Sequence, residues 1–95
     1  MCSIAGITNG TSNDVMKMLK AMVHRAPDDI GVIKDNNISL GMGRLSIVDL
    51  KSQNLCPFQN EEIILSFNGE IYNYKSLRQD LKKFGYKFKT SSDTE

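Results

Sequence analysis

Residues 61–78 read EEIILSFNGEIYNYKSLR. Ile63, Ile64, Leu65 and Phe67 make a nearly continuous apolar run, which predicts a strand buried on both faces. Asn68-Gly69 then breaks it. That dipeptide most often closes a hairpin between two strands, yet a helical pattern follows here. Asn73 is placed to cap the helix, Leu77, Leu81 and Phe84 share a face, and Gly85 stands where a helix typically turns left-handed. A buried strand that breaks at Asn-Gly and passes into a helix puts Asn68 at a sheet end. There, a side-chain amide and a backbone N–H at adjacent positions suit a developing oxyanion.

Upstream, residues 30–50, IGVIKDNNISLGMGRLSIVDL, read as strand, turn and strand, with the second strand continuing or breaking at Gly41 and Gly43. KSQNLCPFQN (51–60) reads as a loop. In SNDVMKMLKAMVHR (12–25), Val15, Met18 or Leu19, Met22 and Val23 recur at helical spacing, with Ser12 or Asn13 as cap. Pro27 biases Ala26 out of helical geometry and ends the segment. SIAGIT (3–8) is a first strand with Cys2 at its tip. Downstream, YKFKT (86–90) alternates like an edge strand, and SSDTE (91–95) has the pattern of a helix start. Strand, helix, several strands, helix, strand is an order that an α+β layered fold accommodates.

Ninety-five residues make one small domain, which buries only roughly 60–65% of its extended-chain surface. A net charge of +1 gives no electrostatic reason to expect nucleic acid or an anionic membrane surface as partner. No apolar run approaches the ~20 residues that span a bilayer, and MCSIAGITNG lacks the basic start of a secretory leader. The expected compartment is cytoplasmic. The two cysteines, Cys2 and Cys56, form no metal spacing and no disulfide framework, so both are expected as free thiols.

Four stretches could carry chemistry. Removal of Met1 would leave Cys2 with a free α-amine. In model peptides an α-amine (~7.7–8.0) and a free thiol (~8.5) both titrate close to neutral pH, so one residue could be nucleophile and base. A cysteine at position two also arises by chance, and alone it decides nothing. Asn68-Gly69 is the oxyanion pair. Arg44, beside Gly43, could hold a carboxylate through two parallel hydrogen bonds; alone, an exposed arginine on a strand edge is the simpler reading. Asp93 could pair with an ammonium or merely favour a helix N-terminus. His24, the single histidine, reads as a helix-end or packing residue, and Cys56 as structural or incidental.

Taken in order, MCSIAG, HRAPDD, GRLSIVDL, NGEIYNYKSLR and SDTE resemble the N-terminal glutaminase domain of glutamine-hydrolysing asparagine synthetases. These are class II glutamine amidotransferases of the N-terminal-nucleophile hydrolase type. Leu45 and NGEIYN point to that branch rather than to sister enzymes. The resemblance implies an αββα sandwich, incomplete in 95 residues. It implies Cys2 as nucleophile, with the Asn68 side chain and the Gly69 backbone as the oxyanion hole. Arg44 would hold the α-carboxylate of glutamine, and Asp93 with Glu70 its α-amine. The backbone of Ile47 and Val48 would line the pocket. It implies no cofactor for glutamine hydrolysis, and no metal; ATP and Mg are expected in a synthetase domain.

That synthetase domain, in cis, and the remainder of the glutaminase domain would lie outside residues 1–95. Alone, such a chain is expected to leave sheet edges unpaired, to self-associate and to lack independent activity. Two alternatives stay open: an amidotransferase with another acceptor, and an inactive fragment acting as an interaction module. Ala26 stands where the family has Gly, which would introduce strain if that backbone needs a positive φ.

Overall fold

The computed structural model describes residues 2–45 and 56–95, and they form a small α+β fold of two helices and two sheets. Its centre is a hairpin of β2 (Asp29–Asp35) and β3 (Ile38–Arg44) around Asn36-Asn37. Asn36 takes φ 51°, a left-handed value that asparagine tolerates better than most residues. β3 runs unbroken through Gly41 and Gly43. β1 (Ser3–Thr8) pairs antiparallel with its other edge, from Ser3 opposite Gly43 to Thr8 opposite Ile38, so the sheet order is β1-β3-β2.

α1 (Ser12–Ala21) packs on one face of this sheet. Its cap is Thr11, one residue ahead of the expected Ser12 or Asn13. The Thr11 hydroxyl accepts the Asp14 N–H at 3.1 Å, and the Asp14 carboxylate accepts the Thr11 N–H at 2.9 Å. That reciprocal box uses two otherwise unpaired donors, and the Thr11 hydrogen bonds hold the Asp14 carboxyl below its usual pKa. Val15 and Leu19 are fully buried. They reach the sheet because Gly41 has no side chain: a Cβ there would lie 2.5 Å from Val15 Cγ1 and 2.7 Å from Leu19 Cδ1.

In the apolar stripe expected on this helix, Leu19 rather than Met18 takes the buried position, and Val23 is exposed. The α-helix stops at Met22 and gives way to a 3₁₀ turn, Val23–Arg25, which rotates Val23 off the buried face and leaves His24 in solvent. Ala26 is fully buried at φ −148°. Its backbone is not left-handed, so the alanine carries no such strain.

The apolar run that begins the chain's second half behaves differently from expectation. Only Ile64–Leu65 form a strand, β5, paired with β4 (Phe58–Gln59) inside what reads as a loop. Burial on both faces is not observed: Ile63 is 55% exposed and Leu65 36%. Side chains alternate along a strand, and only the other face turns inward. Ile64 is half-buried there, and the Ser66 hydroxyl donates to the Gly41 carbonyl at 3.2 Å.

α2 (Tyr74–Lys83) follows, with Asn73 at its N-cap but without a side-chain capping bond. It closes as the sequence predicts. Gly85 takes φ 95°, its N–H bonds to Lys82 O at 3.0 Å, and Tyr86 N–H reaches back to Leu81 O at 3.2 Å, the paired bonds of a Schellman end. Leu77, Leu81 and Phe84 nonetheless stay exposed. Residues 86–90 form no strand and 91–95 no helix. That segment is held by side chains instead, with Glu95 accepting from the Lys89 and Thr90 N–H groups at 2.9 and 2.7 Å. Among the described residues, no helix is long and apolar enough to cross a membrane.

Candidate active site

β3 has two faces. Ser39, Gly41 and Gly43 lie toward α1, so Met42 and Arg44 project from the opposite side, and there they line a cleft of about 500 Å³. That volume lies within the range of small-molecule sites. Six residues singled out from sequence border this one cleft: Cys2, Arg44, Asn68, Gly69, Glu70 and Asp93. Ile47 and Val48 fall outside the described residues.

Each arrives by a different route. The β1–β3 ladder ends at Ser3 opposite Gly43, so the register carries Cys2 alongside Arg44. Arg44 is not the exposed edge residue that its isolated reading allowed. It ends the central strand, is 8% exposed, and its carbonyl accepts the Asp28 N–H at 3.0 Å. The 68–70 segment follows β5 and lies exposed at the mouth of the cleft. The Asn68 side chain crosses to the start of the chain, where its Oδ1 accepts the Cys2 N–H at 3.2 Å. An N–H donor fixes the amide's orientation: Oδ1 faces Cys2, and the Nδ2 donors face away from it.

Asp93 meets the same segment from the far end of the chain. Its Oδ2 accepts the Ile71 N–H at 2.9 Å, and the Ser92 hydroxyl donates to its Oδ1 at 3.5 Å. The cleft thus carries one guanidinium and two carboxylates, from Arg44, Glu70 and Asp93. That arrangement offers an anion site and a cation site to a zwitterion. Sequence reasoning did not single out Arg78, whose guanidinium donates to Thr90 O at 2.5 Å and to Ser92 O at 2.8 Å. The sequence held no signal for it, since its partners are backbone carbonyls 12 and 14 residues away, beyond the reach of local spacing.

Cys56 is the other thiol, and its environment is different. Its Sγ donates to Met42 O at 2.8 Å. Burial, and then the Asp29 carboxylate, push its pKa up to about 11. Thiolate is the reactive form, so at pH 8 only about 0.1% of Cys56 is ready to react. Iodoacetamide at pH 8 is therefore expected to label Cys2 and spare Cys56, as read by peptide mass mapping. Equal labelling of both would overturn this account of Cys56. Among the described residues, no three or more His, Cys, Asp or Glu side chains gather as metal ligands.

Known proteins are similar to this sequence along its whole length. It is 38% identical to the glutamine-hydrolysing asparagine synthetase 1 of Bacillus subtilis (strain 168) over all of this chain and 16% of that protein. The glutamine-hydrolysing asparagine synthetase 2 of the same organism is 39% identical over 100% of this chain and 14% of its own length. The glutamine-hydrolysing asparagine synthetase B of Escherichia coli (strain K12) is 36% identical over 100% of this chain and 18% of its own length. The chain therefore spans less than a fifth of these relatives. The family model described as a glutamine amidotransferase domain matches residues 1–95, the whole length, and the chain belongs to that family.

Proposed function

We propose that this chain supplies the glutaminase site of a glutamine-dependent amidotransferase, hydrolysing glutamine to glutamate and ammonia. The observation that carries the reading is the bond from Cys2 N to Asn68 Oδ1 across 66 positions of sequence. It sets the nucleophile's own nitrogen against the amide that would stabilise the oxyanion. With Met1 removed, that nitrogen is an α-amine. One N–H can keep donating to Asn68 Oδ1 while the lone pair accepts the thiol proton.

The reaction then proceeds through a thioester. The Cys2 thiolate attacks the side-chain carbonyl carbon of glutamine and a C–S bond forms. The oxyanion takes hydrogen bonds from Asn68 Nδ2 and the Gly69 N–H. The α-ammonium of Cys2 returns its proton to the leaving nitrogen, the C–N bond breaks and ammonia departs. Water, deprotonated by the same amine, attacks the thioester, releasing glutamate and restoring the thiol. Arg44 holds the substrate α-carboxylate, and Asp93 and Glu70 its α-ammonium. Every step uses groups of the chain and water, so hydrolysis requires no cofactor.

On this reading the fold is part of an αββα sandwich. Residues 1–95 are the N-terminal portion of a larger glutaminase domain, and the ammonia goes to ATP-dependent, Mg-dependent asparagine synthesis from aspartate in a synthetase domain in cis. The names of the relatives support this acceptor. A cytoplasmic location fits such an enzyme. The whole protein of which this chain would be the N-terminal portion, processed to begin at Cys2, is expected to release glutamate from glutamine, and a form retaining Met1 to release none. Enzyme-coupled glutamate measurement reads both; equal rates from the two forms would remove the α-amine from the mechanism.

A further inference from the structure

We propose that Arg78 is a positioning residue for glutamine recognition: its guanidinium ties the 88–95 segment to α2 and thereby sets Asp93 where the substrate α-ammonium is received. The inference rests on the reading of Asp93 as the ammonium partner and extends it to a residue that never touches substrate. Arg78 does not border the larger cleft. It lies behind it, in a smaller hollow of about 100 Å³ that Asp93 also borders.

Residues 86–95 have no helix or strand to shape them, so Asp93 must be placed by side chains. Arg78 does this with three contacts. Its two terminal nitrogens bond Thr90 O at 2.5 Å and Ser92 O at 2.8 Å, and its guanidinium carbon lies 4.4 Å from the Phe88 ring centroid. A planar fork can span two carbonyls while stacking on a ring, whereas an ammonium is a point donor. Ser92, gripped through its carbonyl, is 5% exposed, and its hydroxyl accepts the Thr94 N–H at 3.1 Å. Asp93 is therefore pinned between the Arg78-held Ser92 and the Ile71 N–H.

Glu95 closes the same turn, bonding the Thr90 hydroxyl at 2.8 Å as well as the two N–H groups. Burial opposes its charge, but those hydrogen bonds and the Arg78 charge outweigh it and hold the carboxyl below its usual pKa. The folded-state pKa is depressed, so this clasp is complete above the ordinary glutamate range and is lost as pH falls through the lowered value. At neutral pH, Arg78 and Glu95 hold the segment together.

The test compares glutamine with 4-carbamoylbutanoate, which is glutamine without its α-ammonium, on the processed protein and its Arg78→Lys and Asp93→Asn variants. A displacement of about 1 Å at a binding group costs up to roughly 10²-fold. Arg78→Lys is expected to raise KM for glutamine about tenfold, with kcat lowered less than about threefold. Its kcat/KM for 4-carbamoylbutanoate should stay within about twofold of the parent, so the preference for glutamine collapses. Equal losses on both substrates would mark Arg78 as a fold-supporting residue only and overturn the proposal, and so would no loss on either. Asp93→Asn separates the two layers of argument. If it keeps the parent preference, the ammonium role of Asp93 fails and takes the proposal with it. If it loses the preference while Arg78→Lys retains it, the Arg78 proposal alone falls.

Discussion

Alanine at Cys2 is expected to reduce glutamine hydrolysis by a factor on the order of 10⁶, to below detection, since removal of a nucleophile in comparable covalent mechanisms costs about that much. The variant keeps the nitrogen that bonds Asn68 and keeps Arg44 and Asp93, so the loss should fall on kcat. Hydroxylamine sharpens the measurement. The parent should convert glutamine to its γ-hydroxamate by intercepting the thioester, and Cys2→Ala should form none. Glutamate release at the parental rate in this variant would refute the assignment. Serine at the same position is the informative partner. Its hydroxyl is a much weaker acid than a thiol, and an α-amine titrating near ~7.7–8.0 is poorly matched to deprotonate it. Cys2→Ser should therefore be nearly as damaged as Cys2→Ala although it differs from the parent by one atom.

That prediction depends on where the ladder ends. Ser3 faces Gly43 in the last pair of the β1–β3 register, so Cys2 lies just past the hydrogen-bonded strand, tethered by β1 but not paired within it. Much of this was legible in the sequence. The Asn36-Asn37 turn and the helix ends at Thr11 and Gly85 are local events, governed by residues within five positions, and local chemistry is what a sequence displays. Even there the capping residue shifted by one, because Thr11 and Asp14 form a reciprocal box that outcompetes Ser12.

Other elements were not legible, for one physical reason. The run Ile63 to Phe67 and the alternation of residues 86–90 state what a segment would do if given partners. Whether partners arrive is a tertiary fact. In the described structure, β5 pairs over two residues and 86–90 over none. The same holds for the site. Arg44 looked like an edge residue until β3 was seen to be central, with β1 and β2 on either side. Arg78 carried no signal, because its partners are backbone carbonyls in a segment without regular structure. What could be read was the order of chemically apt residues along the chain; their convergence on one cleft comes from the β1–β3 register and from the contacts of Asn68 and Asp93.

Asn68 yields the second large effect, because its amide works at both ends. Oδ1 accepts from Cys2 N at 3.2 Å, so Nδ2 is directed away, toward the oxyanion in the proposed mechanism. Losing one such donor typically costs ~10²–10³ in kcat, or ~2.7–4 kcal/mol of barrier. Asn68→Ala is expected to fall in that range, with KM for glutamine changed less than about threefold, because the donor acts on charge present only in the transition state. The Gly69 N–H remains and should sustain a residual rate well above that of Cys2→Ala. Asn68→Asp separates the amide's two ends. An aspartate keeps the acceptor for the Cys2 nitrogen and the shape of the side chain, but replaces the donor with negative charge beside the developing oxyanion. If positioning the nucleophile were the whole role of Asn68, Asn68→Asp would retain most activity. If the donor matters as proposed, Asn68→Asp should be as slow as Asn68→Ala or slower, since repulsion adds to the lost hydrogen bond. Steady-state kcat for the two variants decides between these, and an aspartate variant within about threefold of the parent rate would remove Asn68 from the oxyanion hole.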